Sequence, residues 1–275
     1  MQQPRAGAQA KEAQAPPQPA AGAPPAAELR AVLGLRCWDV PLERVAEFLV
    51  ARARAGERVQ GYFVNAHCVN VAARDPRYAQ LLASQRFVFA DGAGMTLAAR
   101  LGGTRLDHNV NGTDLFPVLC AAAARAGVPL ALLGARPGLA QECAARMQQR
   151  FPGLQVNWVA DGYLSEAEER DRLAELNASG ARVLLVAKGV PLQEHWIAAH
   201  ATQLAVPVVL GVGALFDFYS GAISRAPLAL RRLHLEWLYR LCLEPRRMFR
   251  RYVIGNPEFV LRALRWRWRH GTRPT

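Results

Sequence analysis

Lysine is nearly missing from this chain of 275 residues: Lys11 and Lys188 are the only two among thirty-four basic side chains, and the rest are arginine. Codon bias in a GC-rich genome accounts for the imbalance, yet arginine stays charged at any working pH and its planar fork suits phosphate oxygens. Cysteine is also sparse. Cys37, Cys68, Cys120, Cys143 and Cys242 are odd in number and never in CxxC spacing, which favours reduced thiols in the cytosol over a disulfide scaffold or zinc site. The six histidines form no HExxH pair, and His195 and His200, five apart, miss the i, i+4 geometry of a helical metal site. No GxxxxGK[ST] loop is present, which disfavours a P-loop nucleotidase. Gly92-Ala93-Gly94 and Gly211-Val212-Gly213 each lack the third glycine of a dinucleotide fingerprint, and no DxD pair offers itself to a divalent ion.

Long apolar runs are missing too. The longest candidate, Leu115 to Gly134, contains Arg125 and Pro129 and reads as a helix followed by a strand, so no segment is expected to span a bilayer. Residues 1–30 are dominated by Ala, Pro, Gln and Gly. They lack the basic and apolar regions of a secretory signal and are expected to be a disordered leader.

What the chain does have begins at about residue 31, where short apolar runs alternate with helical patterns. Helices are expected over Pro41–Arg54, Asp75–Gln85, Thr113–Ala126, Arg136–Arg150, Ser165–Ala178 and Leu192–Gln203. Strands are expected over Gly61–Val64, Arg86–Ala90, Pro129–Leu133, Leu154–Val159, Arg182–Ala187 and Val206–Leu210. This alternation implies an α/β body, residues 31–224, built as a mostly parallel sheet with helices on both faces. Small or polar residues follow every strand: Asn65, Asp91-Gly92, Gly134, Asp161-Gly162, Gly189 and Gly211-Val212-Gly213. Ligands of open α/β sheets bind at the carboxyl ends of strands, so six such ends in sequence point to a crevice along that edge.

Residues 225–275 differ. Thirteen arginines stand against three acids, Glu236, Glu244 and Glu258, a net of +10 in a chain of net +12. Trp and Leu interleave with that charge in three expected helical stretches broken at Pro245 and Pro257. An anionic partner follows, be it a phosphorylated ligand, an acidic membrane surface or a nucleic acid.

Ordered blocks of residues narrow the choice. Phe63-Val64-Asn65-Ala66-His67, Phe89-Ala90-Asp91-Gly92-Ala93-Gly94-Met95 and Asn111-Gly112-Thr113-Asp114-Leu115 resemble the WecG/TagA/CpsF family of bacterial glycosyltransferases. So do Gly189-Val190-Pro191-Leu192-Gln193-Glu194, Gly211 to Phe218, and the run from Arg225 through Glu236-Trp237-Leu238-Tyr239-Arg240, Glu244-Pro245-Arg246-Arg247 and Gly255-Asn256-Pro257. The resemblance implies a Rossmann-like body and a C-terminal appendage that meets the membrane and completes the site. It implies metal-independent, inverting transfer of a sugar from a UDP-sugar to a polyprenyl-diphosphate-linked saccharide, on the inner face of the cytoplasmic membrane.

On that resemblance Asp91 is the expected base, and Asn65 on the neighbouring strand end orients a sugar. Arg240, Arg247 and Arg250 are the candidates for neutralising the leaving diphosphate. Gly134, Asp161, Gly189, Gln193, Glu194, Gly211, Gly213 and Asp217 are the expected substrate-binding set, with no metal and no cofactor. Phe63 and Leu192 stand where the family more often has a small hydroxyl residue and a lysine, which leaves the donor sugar open between N-acetylmannosamine and glucose types. A nucleic-acid-binding protein using the Arg/Trp tail, or a catalytically silent UDP-sugar binder, are the alternatives. A homo-oligomer is compatible with the sequence.

Overall fold

The computed structural model describes residues 24–163, 165–233 and 235–271. Residues 1–23 of the expected leader lie outside the described residues. In chain order, β1 (Leu29–Val32) and β2 (Leu35–Trp38) precede α1 (Leu42–Ala55) and β3 (Val59–Val64). Next come α2 (Ala66–Ala72), α3 (Pro76–Ser84), β4 (Phe87–Ala90), α4 (Ala93–Leu101), α5 (Gly112–Ala126) and β5 (Leu130–Gly134). Then α6 (Leu139–Arg150), β6 (Val156–Ala160), α7 (Glu166–Ala178), β7 (Val183–Ala187), α8 (Leu192–His200) and β8 (Val208–Gly211) follow. The helices α9 (Leu215–Tyr219), α10 (Leu228–Arg232), α11 (Glu236–Leu243), α12 (Pro245–Phe249), a π turn at Arg250–Ile254 and α13 (Gly255–His270) follow among the described residues.

The eight strands form one sheet in the order β1-β2-β4-β3-β8-β7-β5-β6, parallel except for the β1–β2 hairpin. That hairpin begins at Leu29, inside the stretch expected to be leader, so the sheet starts earlier than the composition suggests. Strands β4, β5, β7 and β8 are buried at every residue, as a parallel sheet covered on both faces requires, whereas β6 at the edge alternates. Successive side chains of β3 go to opposite cores. Phe63 joins Val45, Leu115 and Met147 from α1, α5 and α6, while Tyr62 and Val64 join Tyr78, Met95, Leu173 and Ile197 from α3, α4, α7 and α8.

Local chemistry sets the helix starts. Asn65, Asp75 and Asn111 cap α2, α3 and α5 through side-chain oxygens that accept first-turn N–H groups. Pro117 lies inside α5 and cannot donate to the carbonyl of Thr113. The Tyr219 hydroxyl donates to that carbonyl instead, at 2.7 Å, tying α9 to α5.

Pro257 does not end a helix, contrary to expectation. It sits in the first turn of α13, just after the π turn, where a missing N–H disturbs the ladder least. Helix α13 then folds back on the body. Phe259 and Ala263 are buried in the α2–α4 core, and the Asn70 amide donates to the Gly255 carbonyl at 2.7 Å. A Cβ at Gly94 of α4 would stand 3.2 Å from the Ala66 Cβ of α2 and in ordinary contact, at 3.4 Å, with the Phe259 ring, so glycine there eases the approach of α2. Among the described residues no helix is long and apolar enough to cross a membrane.

Candidate active site

The carboxyl ends of β4, β3, β8 and β7 lie side by side. Gly92, Gly213 and Gly189, just beyond three of them, have left-handed φ of 87°, 61° and 78°, and a Cβ on any of them would meet open space. These turns line the carboxyl edge of the sheet, where the sequence pattern places the crevice.

Asn65 and Asp91 meet on this edge. Val64 pairs with Ala90 across β3 and β4, so the next residue on each strand falls side by side. The Asp91 N–H donates to the Val64 carbonyl at 2.8 Å, and the Asn65 amide donates to the Asp91 carboxylate at 3.2 Å. The Asn65 oxygen meanwhile accepts from the N–H groups of His67 and Cys68 at 3.1 and 3.3 Å, which fixes the direction of its amide. Burial raises the Asp91 pKa above the usual carboxylate range. Asn65 and Arg251 pull against that shift, while Glu236 and Asp114 add to it.

Arg251 was not among the expected arginines. It is half-buried on the π turn, and its Nε is buried with no hydrogen-bond partner among the described residues. It also acts on His67, whose pKa is lowered to about 4 by burial first and then by Arg251 and Arg74, leaving a neutral imidazole near neutral pH. The signal that could have found Arg251 is its spacing, one helical turn beyond Arg247.

The three named arginines separate. Arg240 is buried, its guanidinium 5.1 Å from the centre of the Phe218 ring, and its Nη2 has no partner among the described residues. Arg247 is exposed and paired with Glu244 at 2.8 Å. Both face Asp217, as does Arg136 just after β5. Burial raises the Asp217 pKa; Arg247, Arg240 and Arg136 oppose the rise, and Glu244 adds to it. Arg250 is exposed and is not among the groups that act most on either carboxylate. Arg136 is the second arginine that the sequence pattern left unmarked.

Asp114, at the start of α5, is held below its ordinary range although burial alone would raise it. Arg225 at 2.7 Å, the Asn111 amide and Arg231 provide the opposing pull. These contacts anchor the beginning of the appendage to the body.

The remaining expected contacts differ in character. Gly134 is buried, and a Cβ there would come 2.4 Å from the Ala187 carbonyl oxygen, so its glycine serves the close passage of β7 rather than a ligand. Asp161, half-buried at the end of β6, has a buried Oδ1 with no partner among the described residues. Glu194 was expected at the nucleotide but has no surface exposure; it lies beneath the crevice. Gly213 was expected to contact the substrate, and its N–H already donates to Gln193 Oε1 at 2.9 Å. Phe63 stacks on Phe89, ring centres 5.1 Å apart, under Gly112 and mostly out of the crevice.

Comparison with known proteins accords with this arrangement. Residues 30–273 match the model of the Glycosyl transferase WecG/TagA/CpsF family. An N-acetylglucosaminyldiphosphoundecaprenol N-acetyl-beta-D-mannosaminyltransferase of Bacillus spizizenii is 33% identical over 195 residues, covering 70% of this chain and 74% of that protein. A protein of the same name from Bacillus subtilis is 30% identical over 203 residues, 74% of this chain and 77% of its own length. With an α/β sheet, paired polar residues at its strand ends and a family match across nearly all of the described residues, the chain belongs to the WecG/TagA/CpsF family and is a glycosyltransferase of cell-surface polysaccharide synthesis.

Proposed function

We propose that the chain moves a sugar of N-acetylmannosamine or glucose type from a UDP-sugar to a polyprenyl-diphosphate-linked saccharide, with inversion and without a metal ion. The reading rests above all on the Asn65–Asp91 pair at adjoining strand ends, with Arg251 of the appendage acting on its carboxylate. Asp91 accepts the proton of the acceptor hydroxyl as that oxygen bonds to the anomeric carbon and the bond to the UDP β-phosphate oxygen breaks. A single displacement by one base inverts the configuration. Arg240, Arg247 and Arg136, gathered around Asp217, meet the charge that builds on the departing diphosphate. The names of the two Bacillus relatives favour N-acetylmannosamine as the donor sugar and a diphosphate-linked N-acetylglucosamine acceptor.

The appendage also favours a location on the inner face of the cytoplasmic membrane. Leu233, Phe249, Ile254, Leu261 and Trp268 are more than half exposed, and Arg246, Arg250, Arg265 and Arg269 are exposed among them. The test is UDP release from UDP-N-acetylmannosamine and UDP-glucose with a short-chain lipid-diphosphate acceptor, with and without EDTA. Turnover that survives EDTA and disappears in Asp91→Asn supports the reading. Turnover that needs a divalent ion, or that persists in the variant, rejects it.

A further inference from the structure

Gln193 and Glu194 open helix α8 and are both buried, yet each carries polar atoms that need partners. The Gln193 side-chain NH2 donates to Glu194 Oε1 at 2.8 Å, and Gln193 Oε1 accepts from the Gly213 N–H at 2.9 Å. Together these contacts fix the amide. Turned over, it would set NH2 against N–H and a carbonyl against a carboxyl oxygen. The Gln193 backbone N–H donates to the Gly189 carbonyl at 2.9 Å, so one residue ties together the turns after β7 and β8. Gly211 lies directly on it, since a Cβ there would come 3.1 Å from Gln193 Nε2. Glycine at 211 makes room for Gln193.

Glu194 is enclosed by Tyr62 of β3, Cys68 of α2 and Tyr78 of α3, all neutral, and its Oε2 has no partner among the described residues. A carboxyl in such surroundings is costly unless its hydrogen bond serves something. Burial raises its pKa to about 7, and a proton on Oε2 leaves Oε1 free to accept from Gln193, so the contact survives in either state.

We propose that Glu194 is a positioning residue for the nucleotide diphosphate, acting through Gln193 to hold the Gly211–Gly213 loop in its binding shape. The proposal rests on the UDP-sugar reading given above. It separates the two neighbours: Gln193 shapes the loop that the nucleotide meets, and Glu194 has Gln193 as its side-chain hydrogen-bond partner among the described residues.

The experiment compares UDP affinity by calorimetry, and KM for donor and acceptor, in the full-length wild type, Glu194→Met, Glu194→Gln and Gln193→Leu. Glu194→Met fills the space without an acceptor and weakens UDP binding and raises donor KM about tenfold, with acceptor KM within twofold. Glu194→Gln keeps an oxygen facing Gln193 and stays within threefold of wild type. Gln193→Leu, which cuts the link from the other side, shows the same tenfold loss. Wild-type UDP affinity in Glu194→Met or Gln193→Leu overturns the proposal alone. A wild-type protein that binds no UDP overturns the UDP-sugar reading and this proposal with it.

Discussion

The Asn65 amide donates to the Asp91 carboxylate at 3.2 Å while its own oxygen caps helix α2. One side chain thus performs two tasks that substitution can separate. Asn65→Ser retains a capping oxygen, which preserves most of the ~1 kcal/mol that a cap contributes, but loses the donor to Asp91. Because that donor favours the ionised carboxylate, its loss raises the Asp91 pKa. The acid limb of the kcat/KM profile therefore moves to higher pH with little change in thermal midpoint. An unmoved acid limb removes the pairing from the mechanism.

Asp91 itself is held in its surroundings at a cost. Its raised pKa means that the folded state disfavours the ionised form, so stability from this group is present at low pH and falls as pH rises through the folded value. Asp91→Asn is accordingly at least as stable as wild type at pH 7 by thermal denaturation, and slower by about 10²-fold or more in sugar transfer.

Arg251 supports the ionised form of Asp91 and the neutral form of His67. In Arg251→Gln both pKa values rise. NMR titration of His67 reads the first-hand effect as an upward move from about 4, and the pH–rate profile reads the effect on Asp91. Arg251→Lys restores a large part of both, because a positive charge is retained.

Glu194 couples stability to pH in a distinguishable way. Its carboxyl is raised from 4.5 to about 7, so the folded state holds a proton that the unfolded chain has released between those values. Its contribution is complete below about pH 4.5 and lost as pH climbs through 7, on the order of 3 kcal/mol over the window. His67, lowered to about 4, acts in the opposite sense, gaining stability as pH rises from 4 to 6.5. The measurement is therefore the difference in unfolding free energy between wild type and Glu194→Gln from pH 5 to 8, in which the His67 contribution cancels. A difference independent of pH contradicts it.

Removing residues 226–275 would strip Phe259 and Ala263 from the body and uncover the α2–α4 core, so point changes test membrane attachment more cleanly. Phe249→Ser with Trp268→Ser and Arg265→Glu leaves the buried contacts in place. Each basic residue near an acidic surface contributes about 1 kcal/mol, so flotation with anionic vesicles falls by about tenfold or more. Retained flotation argues against a lipid surface as the partner of this face.

Much of the body was legible because its strands are continuous apolar runs followed by turn residues. The expected helix over Pro41–Arg54 and strand over Gly61–Val64 correspond to α1 and β3 within two residues. Asn65 and Asp91 could be paired because equivalent positions on neighbouring parallel strands converge. The β1–β2 hairpin was missed because its four-residue strands adjoin a Pro- and Ala-rich stretch that carries no pattern. Helix α2 was missed because seven residues are too few for periodicity to emerge. Glu194 was misplaced, and Arg251 was left unmarked, for a different reason: which face of a short helix or π turn looks inward depends on docking against distant chain segments, so spacing from Arg247 could nominate Arg251 but not place it.

Helix α2 is only seven residues long, about 10 Å. Asn65 begins it, and Asn70 within it grips Gly255 of the appendage. One short helix therefore carries both the amide that meets Asp91 and the amide that holds the start of α13. Asn70→Ala, which frees the Gly255 carbonyl, tests whether the seating of the appendage reaches the strand-end pair.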